Sequence, residues 1–167
     1  MRLTIITLTI GSPQYFDEAI GSIEPSGPLD LEHVVVHDGD RAFIDYLAAN
    51  YPAIKVIRGQ GAGATAAAAR GVAAATGDFI LFLHSDDRLC PGALARFAAA
   101  ATERTDVKVW SGGARIFGTL PDGREITVRR MADRDSTRLL RNPRDRGHRF
   151  RRIAGTVLTI AGSPMRA

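Results

Sequence analysis

Gly61 to Leu94 reads GAGATAAAARGVAAATGDFILFLHSDDRLCPGAL, and the reading of that stretch decides the fold. An alanine-rich helix from about Thr65 to Thr76 is stopped by Gly77, and the unbroken apolar run Phe79, Ile80, Leu81, Phe82, Leu83 follows. A strand that is apolar at every residue needs cover on both faces, which is the habit of central parallel strands. The adjacent carboxylates that close the run, Asp86 and Asp87, then stand at the carboxyl edge of a sheet. Ligands of open α/β sheets sit along that edge. Neighbouring carboxylates repel, so both stay ionised at low cost only where solvent or a cation lies against them. A divalent metal holding a diphosphate fits that need. A polar loop with a helix N-cap ahead of Pro91 is the plainer reading of the same residues.

The rest of the chain sets bounds on what this edge serves. A length of 167 residues suits one domain with its own core. The composition, 45% hydrophobic and 24% charged, is ordinary for a globular protein. No apolar run approaches the ~20 residues of a membrane span. The opening Met1-Arg2-Leu3-Thr4 enters a strand directly, without a signal-peptide pattern. A single cysteine, Cys90, excludes an internal disulfide and a cysteine-based zinc site, so a cytoplasmic location is the default expectation. The net charge of +4 is concentrated from Arg115 onward, above all between Arg129 and Arg152. Such a run meets nucleic acid, the inner face of an anionic membrane or a phosphorylated ligand, or is a solvated tail. Without interleaved aromatics or a recognisable motif it does not point to nucleic acid.

Taken in order, Leu3 to Thr9 is a first buried strand, and Ser12-Pro13 starts a helix whose inward stripe is Phe16, Ala19, Ile20 and Ile23. Leu31 to His37 is a second strand, apolar through Val34-Val35-Val36, and it ends in His37-Asp38-Gly39-Asp40. Asp38 reads equally as a turn residue before Gly39 and as a fixed acceptor for a ligand's ribose or base. Arg41 to Asn50 is a helix and Ala53 to Ile57 a third strand. The loop Gly59-Gln60-Gly61-Ala62-Gly63 is no full dinucleotide fingerprint and no P-loop. Arg70 reads as a surface charge sooner than as a phosphate partner. Pro91 starts a helix that buries Leu94, Phe97, Ala98 and Ala101. Val107 to Gly118 and Glu125 to Arg129 form a hairpin through Leu120-Pro121-Asp122-Gly123. Beyond it only a short helix around Ser136 to Leu140 is read, and the apolar Val157 to Ile160 has nothing obvious to lead into.

Four of these segments, in this order, resemble the family 2 nucleotide-sugar glycosyltransferases. They are IITLTIGSPQYFDEAIGSI, LEHVVVHDGD, RGVAAATGDFILFLHSDDRLCPGAL and VKVWSGGARIFGTLPDGREI, and together they span roughly Leu3 to Val128. The resemblance implies a GT-A fold, that is, a Rossmann-type open α/β sheet, mostly parallel, with helices on both faces and a β-hairpin after it. It divides the chain into a nucleotide-sugar-binding domain at 1–130 and an arginine-rich segment at 131–167. It further implies that Thr9, Asp38, His84 and Asp86 contact the nucleotide, and that Asp86 with Asp87 beside it holds Mg²⁺ or Mn²⁺ on the diphosphate. The implied reaction is an inverting displacement that moves sugar to a saccharide or lipid-linked acceptor, in cell-envelope polysaccharide synthesis.

The sequence also departs from the family's pattern. His84 and His37 stand where acids are frequent, and a histidine is a poorer ligand for a hard ion. Ala68 and Ala69 replace a frequent Arg-Asn. The family's base lies in an acidic motif after the hairpin, for which Asp133, Asp135 and Asp145 are unsorted candidates. A nucleotide-binding relative without transfer activity is therefore the second reading, and a dinucleotide oxidoreductase the third.

Overall fold

The computed structural model describes residues 1–11, 13–24, 27–105, 107, 109–110, 112–119, 125–131 and 160–162. Within them the chain runs β1 (Arg2–Thr9), α1 (Pro13–Gly21), β2 (Asp30–His37), α2 (Arg41–Asn50), β3 (Lys55–Arg58), α3 (Ala64–Ala74) and β4 (Phe79–Phe82). It continues through α4 (Ala93–Glu103), β5 (Val109–Trp110), β6 (Ala114–Thr119), β7 (Glu125–Met131) and β8 (Ile160–Gly162). One sheet has the order β3-β2-β1-β4-β8-β5, and β6 pairs with β7 in a separate antiparallel ribbon. β1 is parallel to both β2 and β4, and β2 is parallel to β3. Four parallel strands in the order 3-2-1-4 are the expected GT-A-like, Rossmann-type half.

Alternate residues of the central strands feed different layers, as the pleat requires. Ile6, Val34, Val36 and Ile80 pack against Ala67 of α3 on one face. Leu3, Ile5 and Leu81 pack on the other face against Ala19 of α1 and Leu94, Phe97 and Ala101 of α4. Val35 meets Phe16 of α1 and Phe43 and Leu47 of α2 on that same side. The expectation of helices on both faces holds. The alanine stripe of α3 lets the helix lie close to the sheet, and Gly71 marks the closest approach. A β-carbon there would stand 2.6 Å from Ile6 Cγ2.

The amino edge of the sheet is tied by hydrogen bonds. The Thr4 hydroxyl donates to Glu32 Oε2 (2.5 Å), while the Thr76 amide donates to the same oxygen (2.7 Å) and the Gly77 amide to Thr4 Oγ1 (2.9 Å). These bonds fix where β4 begins. Burial works to raise the Glu32 pKa, yet the bonds from Thr4 and Thr76 and the Arg2 charge outweigh it and hold the carboxyl below its ordinary value.

His33 of β2 sits in the opposite regime. Its ring pairs with Thr7 Oγ1 at 2.9 Å and stacks on Phe16, and burial pushes its pKa down to about 4. The unfolded chain therefore binds a proton near pH 6.5 that the folded chain refuses until about pH 4. Stability must fall as pH drops through that window, by about 3 kcal/mol in all. Urea unfolding between pH 7 and 4 is expected to show this slope, and His33→Gln to flatten it. The Glu32 contribution is lost only below its unfolded value of 4.5, so the two windows separate. An unchanged slope in His33→Gln would rule the assignment out.

Three expectations shift. Val107 to Gly118 is not one strand: β5 joins the main sheet, and the chain breaks at Gly112-Gly113 before β6. Trp110 is the reason, because its ring meets Phe79 at 5.5 Å and Phe97 at 5.7 Å and so ties β5 to β4 and α4. Secondly, α4 begins at Ala93 behind Gly92 in a left-handed conformation, two residues after Pro91. Thirdly, the apolar stretch at the end of the chain does lead somewhere: Ile160–Gly162 inserts antiparallel between β4 and β5. The turn at 120–123 and the helix read around Ser136 to Leu140 lie outside the described residues. Among the described residues no helix is long and apolar enough to cross a membrane.

Candidate functional site

The carboxyl ends of β2, β1 and β4 lie side by side, so Asp38, Thr9 and the loop after Phe82 share one edge of the sheet. Neighbouring strands are spaced about 4.8 Å apart, which sets β2 and β4 roughly 10 Å from each other across β1, with β4 ending three residues short of β2 along β1. The Asp38 amide donates to the Thr9 carbonyl (3.0 Å), extending the β1–β2 ladder by one residue past His37. Thr9 is buried, and its hydroxyl oxygen accepts from the Gly11 amide at 3.0 Å. That bond turns the chain sharply off β1 and leaves the edge open above it.

The two acids of His37-Asp38-Gly39-Asp40 have different work. Asp40 caps α2, accepting from the Phe43 amide at 3.0 Å. Asp38 accepts from the Gly61 amide at 2.9 Å. The loop Gly59 to Gly63 thus serves as a cradle for Asp38, with Gly59 so close that a β-carbon would collide with the carboxylate. Sequence reasoning missed this contact; the glycines were its only trace. His37 is fully buried beside Phe43, with Nε2 on the Asp40 carbonyl (2.8 Å) and Nδ1 without a hydrogen-bond partner. It supports the turn from below, away from the open edge.

On the far side of β1, the Leu83 amide still donates to the Ile6 carbonyl at 3.0 Å, and the chain then turns. His84 and Asp86 are exposed, whereas Asp87 is buried at 7% exposure, with its amide on the His84 carbonyl (3.0 Å). The cap reading of this pair is removed, because α4 starts at Ala93 with Gly92 at its cap position and no side-chain cap bond. The loop is braced instead by α1 and the turn that follows it. The Leu89 amide donates to Ser22 Oγ (2.9 Å), and Arg88 pairs with Glu18 at 3.5 Å. A carboxylate on a loop fixed at both ends can hold a cation without first ordering the loop.

The fit to a divalent metal is that of a one-carboxylate site. Among the described residues no three His, Cys, Asp or Glu side chains cluster for a metal. Asp86 offers a free-standing oxygen donor, and a hard ion such as Mg²⁺ commonly takes one or two carboxylates and completes its shell with substrate phosphates and water. His84, two residues earlier in the same loop, is exposed to solvent, and an imidazole has lesser affinity for such an ion. Asp133, Asp135 and Asp145 lie outside the described residues.

Known proteins converge on one family. The profile of "Glycosyl transferase family 2" matches residues 4–165. The "Uncharacterized glycosyltransferase YibD" of Escherichia coli (strain K12) is 34% identical over 65 residues, covering 36% of this chain and 19% of that protein. A crystal structure of S. aureus TarS 1-349 in complex with UDP-GlcNAc superposes with a TM-score of 0.51 at 26% identity, over 75% of this chain and 37% of that one. The mannosyltransferase PcManGT from Pyrobaculum calidifontis, in complex with GDP-Man and Mn²⁺, superposes with a TM-score of 0.56 at 20% identity, over 66% of this chain and 34% of that one. The chain thus spans a minor part of the length of each of these proteins.

Proposed function

The chain belongs to glycosyl transferase family 2, and from that membership we propose that it moves a sugar from a nucleoside-diphosphate donor to an acceptor hydroxyl with inversion. The observation that carries this reading is the placement of Thr9, Asp38 and Asp86 along one carboxyl edge, with Asp86 exposed on a braced loop. Asp38, held by the Gly61 amide, has lone pairs left to accept from a ribose or base. Thr9 and His84 border the same strip. Asp86 would hold Mg²⁺ or Mn²⁺ against the diphosphate, with Asp87 beside it buttressing the turn. Such an ion, when bound, neutralises the charge that gathers on the departing nucleoside diphosphate.

In the displacement, the acceptor oxygen forms its bond to the anomeric carbon as the bond to the diphosphate oxygen breaks, and the electron pair leaves with the diphosphate. The acceptor's proton goes to a general base. The chain supplies a saccharide or lipid-linked acceptor site beyond the diphosphate, and its basic half is suited to peripheral contact with an anionic membrane face. Cell-envelope polysaccharide synthesis on the cytoplasmic side accords with these parts.

The experiment is a melting-temperature screen of uridine and guanosine diphosphates and their sugars, each with and without Mn²⁺. A ligand that binds only the folded form raises the midpoint. UDP is the first to try, because the TarS relative is described with UDP-GlcNAc. A metal-dependent upward shift is expected, followed by release of UDP from the donor when an acceptor is added. No shift with any nucleotide would refute the reading, and binding without turnover would leave the nucleotide-binding relative in its place. Gly59→Ala gives an independent check at Asp38. The added methyl must push the carboxylate off the Gly61 amide, so UDP affinity is expected to fall about tenfold, a loss of ~1.4 kcal/mol. Wild-type affinity in Gly59→Ala would exclude Asp38 from the site.

A further inference from the structure

Successive residues of α1 reach in opposite directions. The Asp17 carboxylate accepts from the Tyr46 hydroxyl at 2.6 Å and from the Tyr51 hydroxyl at 2.7 Å, which ties α1 to α2. Glu18 pairs instead with Arg88 of the Asp86 loop at 3.5 Å. Their neighbours Phe16 and Ala19 are fully buried against the sheet, so α1 is seated in close-packed surroundings and has little room to shift. A loop fastened to such a helix inherits its position.

The innermost fastening is at Ser22, the residue after α1. Its hydroxyl donates to the Ala19 carbonyl at 2.6 Å and accepts from the Leu89 amide at 2.9 Å. One side chain thus joins a carbonyl in the last turn of the helix to a backbone amide of the loop, using the donor and an acceptor lone pair of the same oxygen. Leu89 is buried in the cluster with Leu81 and Leu83, so water is a poor substitute for that hydroxyl. The other two fastenings are weaker. The Arg88 and Glu18 side chains are 29% and 41% exposed, and the Gly92 amide meets Glu24 Oε2 at 3.3 Å in an exposed position. On the near side of the loop, the Leu83 amide holds to the Ile6 carbonyl. Asp86 therefore stands midway between two backbone anchors, Leu83 on β1 and Leu89 on Ser22, three residues from each.

We propose that Ser22 is a positioning residue for the cation end of the donor site. By holding Leu89 it keeps the Asp86 carboxylate where a divalent ion on the diphosphate meets it, and the nucleoside end at Asp38 does not depend on it. The inference rests on the reading of Asp86 as the cation's carboxylate. Once released, the loop spreads over conformations that do not place this oxygen, and apparent affinity for the ion falls by the fraction that still does.

Calorimetry on the full chain tests this, with Mn²⁺ titrated in the presence of UDP and with uridine monophosphate titrated without metal. Ser22→Ala is expected to need at least about fivefold more Mn²⁺ for UDP binding, while its affinity for uridine monophosphate stays within about twofold of the wild type. Ser22→Thr keeps the hydroxyl and should restore the Mn²⁺ response. In sugar transfer, Ser22→Ala should raise the Mn²⁺ concentration that gives half the maximal rate and leave the rate at saturating Mn²⁺ near that of the wild type. Asp17→Asn is the control for general loosening of α1: it should lower the melting temperature yet leave the Mn²⁺ response as it is. A wild-type Mn²⁺ response in Ser22→Ala overturns the proposal, as does an equal loss of uridine monophosphate binding. So does a Ser22→Thr variant as impaired as Ser22→Ala, or an Asp17→Asn variant that loses the Mn²⁺ response too, since the effect would then be one of stability. A wild-type chain without Mn²⁺-dependent UDP binding removes the donor reading and this inference with it, whereas the variants removing only the inference leave wild-type binding intact.

Discussion

Asp86→Ala is expected to lower the rate of sugar transfer at least ~1000-fold, equivalent to about 4 kcal/mol of transition-state stabilisation. The size follows from the loop's chemistry. In the loop between β4 and α4 only Asp86 presents an exposed carboxylate, since Asp87 is buried, and among the described residues no three His, Cys, Asp or Glu side chains gather there. With the cation held as proposed, losing the Asp86 oxygen would leave it to water and the diphosphate alone. Asp86→Asn keeps an oxygen but not its charge and should fall between wild type and Asp86→Ala. Asp87 gives the contrast. Asp87→Asn should act mainly on the melting temperature, because its carboxylate is packed inside the turn. The deciding measurement is the Mn²⁺ dependence of UDP binding in each variant. Undiminished Mn²⁺-dependent binding by Asp86→Ala would remove the metal from this loop and the one-carboxylate site with it.

Adjacent acids with different fates show where sequence stops being informative. Asp86 and Asp87 are chemically identical, and only the turn that follows Leu83 decides which faces water. Asp38 and Asp40 differ in the same way, one cradled by Gly61 and one spent on capping α2. What was legible is what local pattern controls. The unbroken apolar runs of β1, β2 and β4 announced a sheet covered on both faces, and the stripe of Leu94, Phe97, Ala98 and Ala101 announced the buried side of α4. β8 was illegible because three residues carry no period, and their partners Phe79 to Leu81 lie some eighty positions earlier in the chain. Gly112-Gly113 was read through as strand because only the packing of Trp110 reveals that β5 belongs to another sheet from β6. The Gly61 amide on Asp38 was hidden because a backbone donor leaves no side-chain signature.

Phe97→Ala is expected to cost about 3–5 kcal/mol of folding stability while leaving the affinity of the folded protein for UDP near that of the wild type. Phe97 is buried, and its ring lies edge-on to Phe79 at 5.4 Å and to Trp110 at 5.7 Å, with Phe79 and Trp110 edge-on to each other at 5.5 Å. Three mutually perpendicular rings leave no neighbour able to fold into the space, so truncation creates a cavity as well as losing transfer energy. For a chain of this length such a loss lowers the melting temperature by roughly 10 °C. The cluster joins α4 to β4 and β5, that is, to the strand that ends in the Asp86 loop and the strand from which the β6–β7 ribbon departs. Yet Phe79 is at the amino end of β4, so the damage lies away from the carboxyl edge and the nucleotide site should survive it at 10 °C. Phe97→Leu refills most of the volume and should recover more than half of the loss. Urea denaturation gives the energies and calorimetry with UDP and Mn²⁺ gives the affinity. A loss below 1 kcal/mol would mean that β5 is not anchored through these rings. Equal collapse of stability and affinity would mean that the edge depends on the β5 side of the sheet.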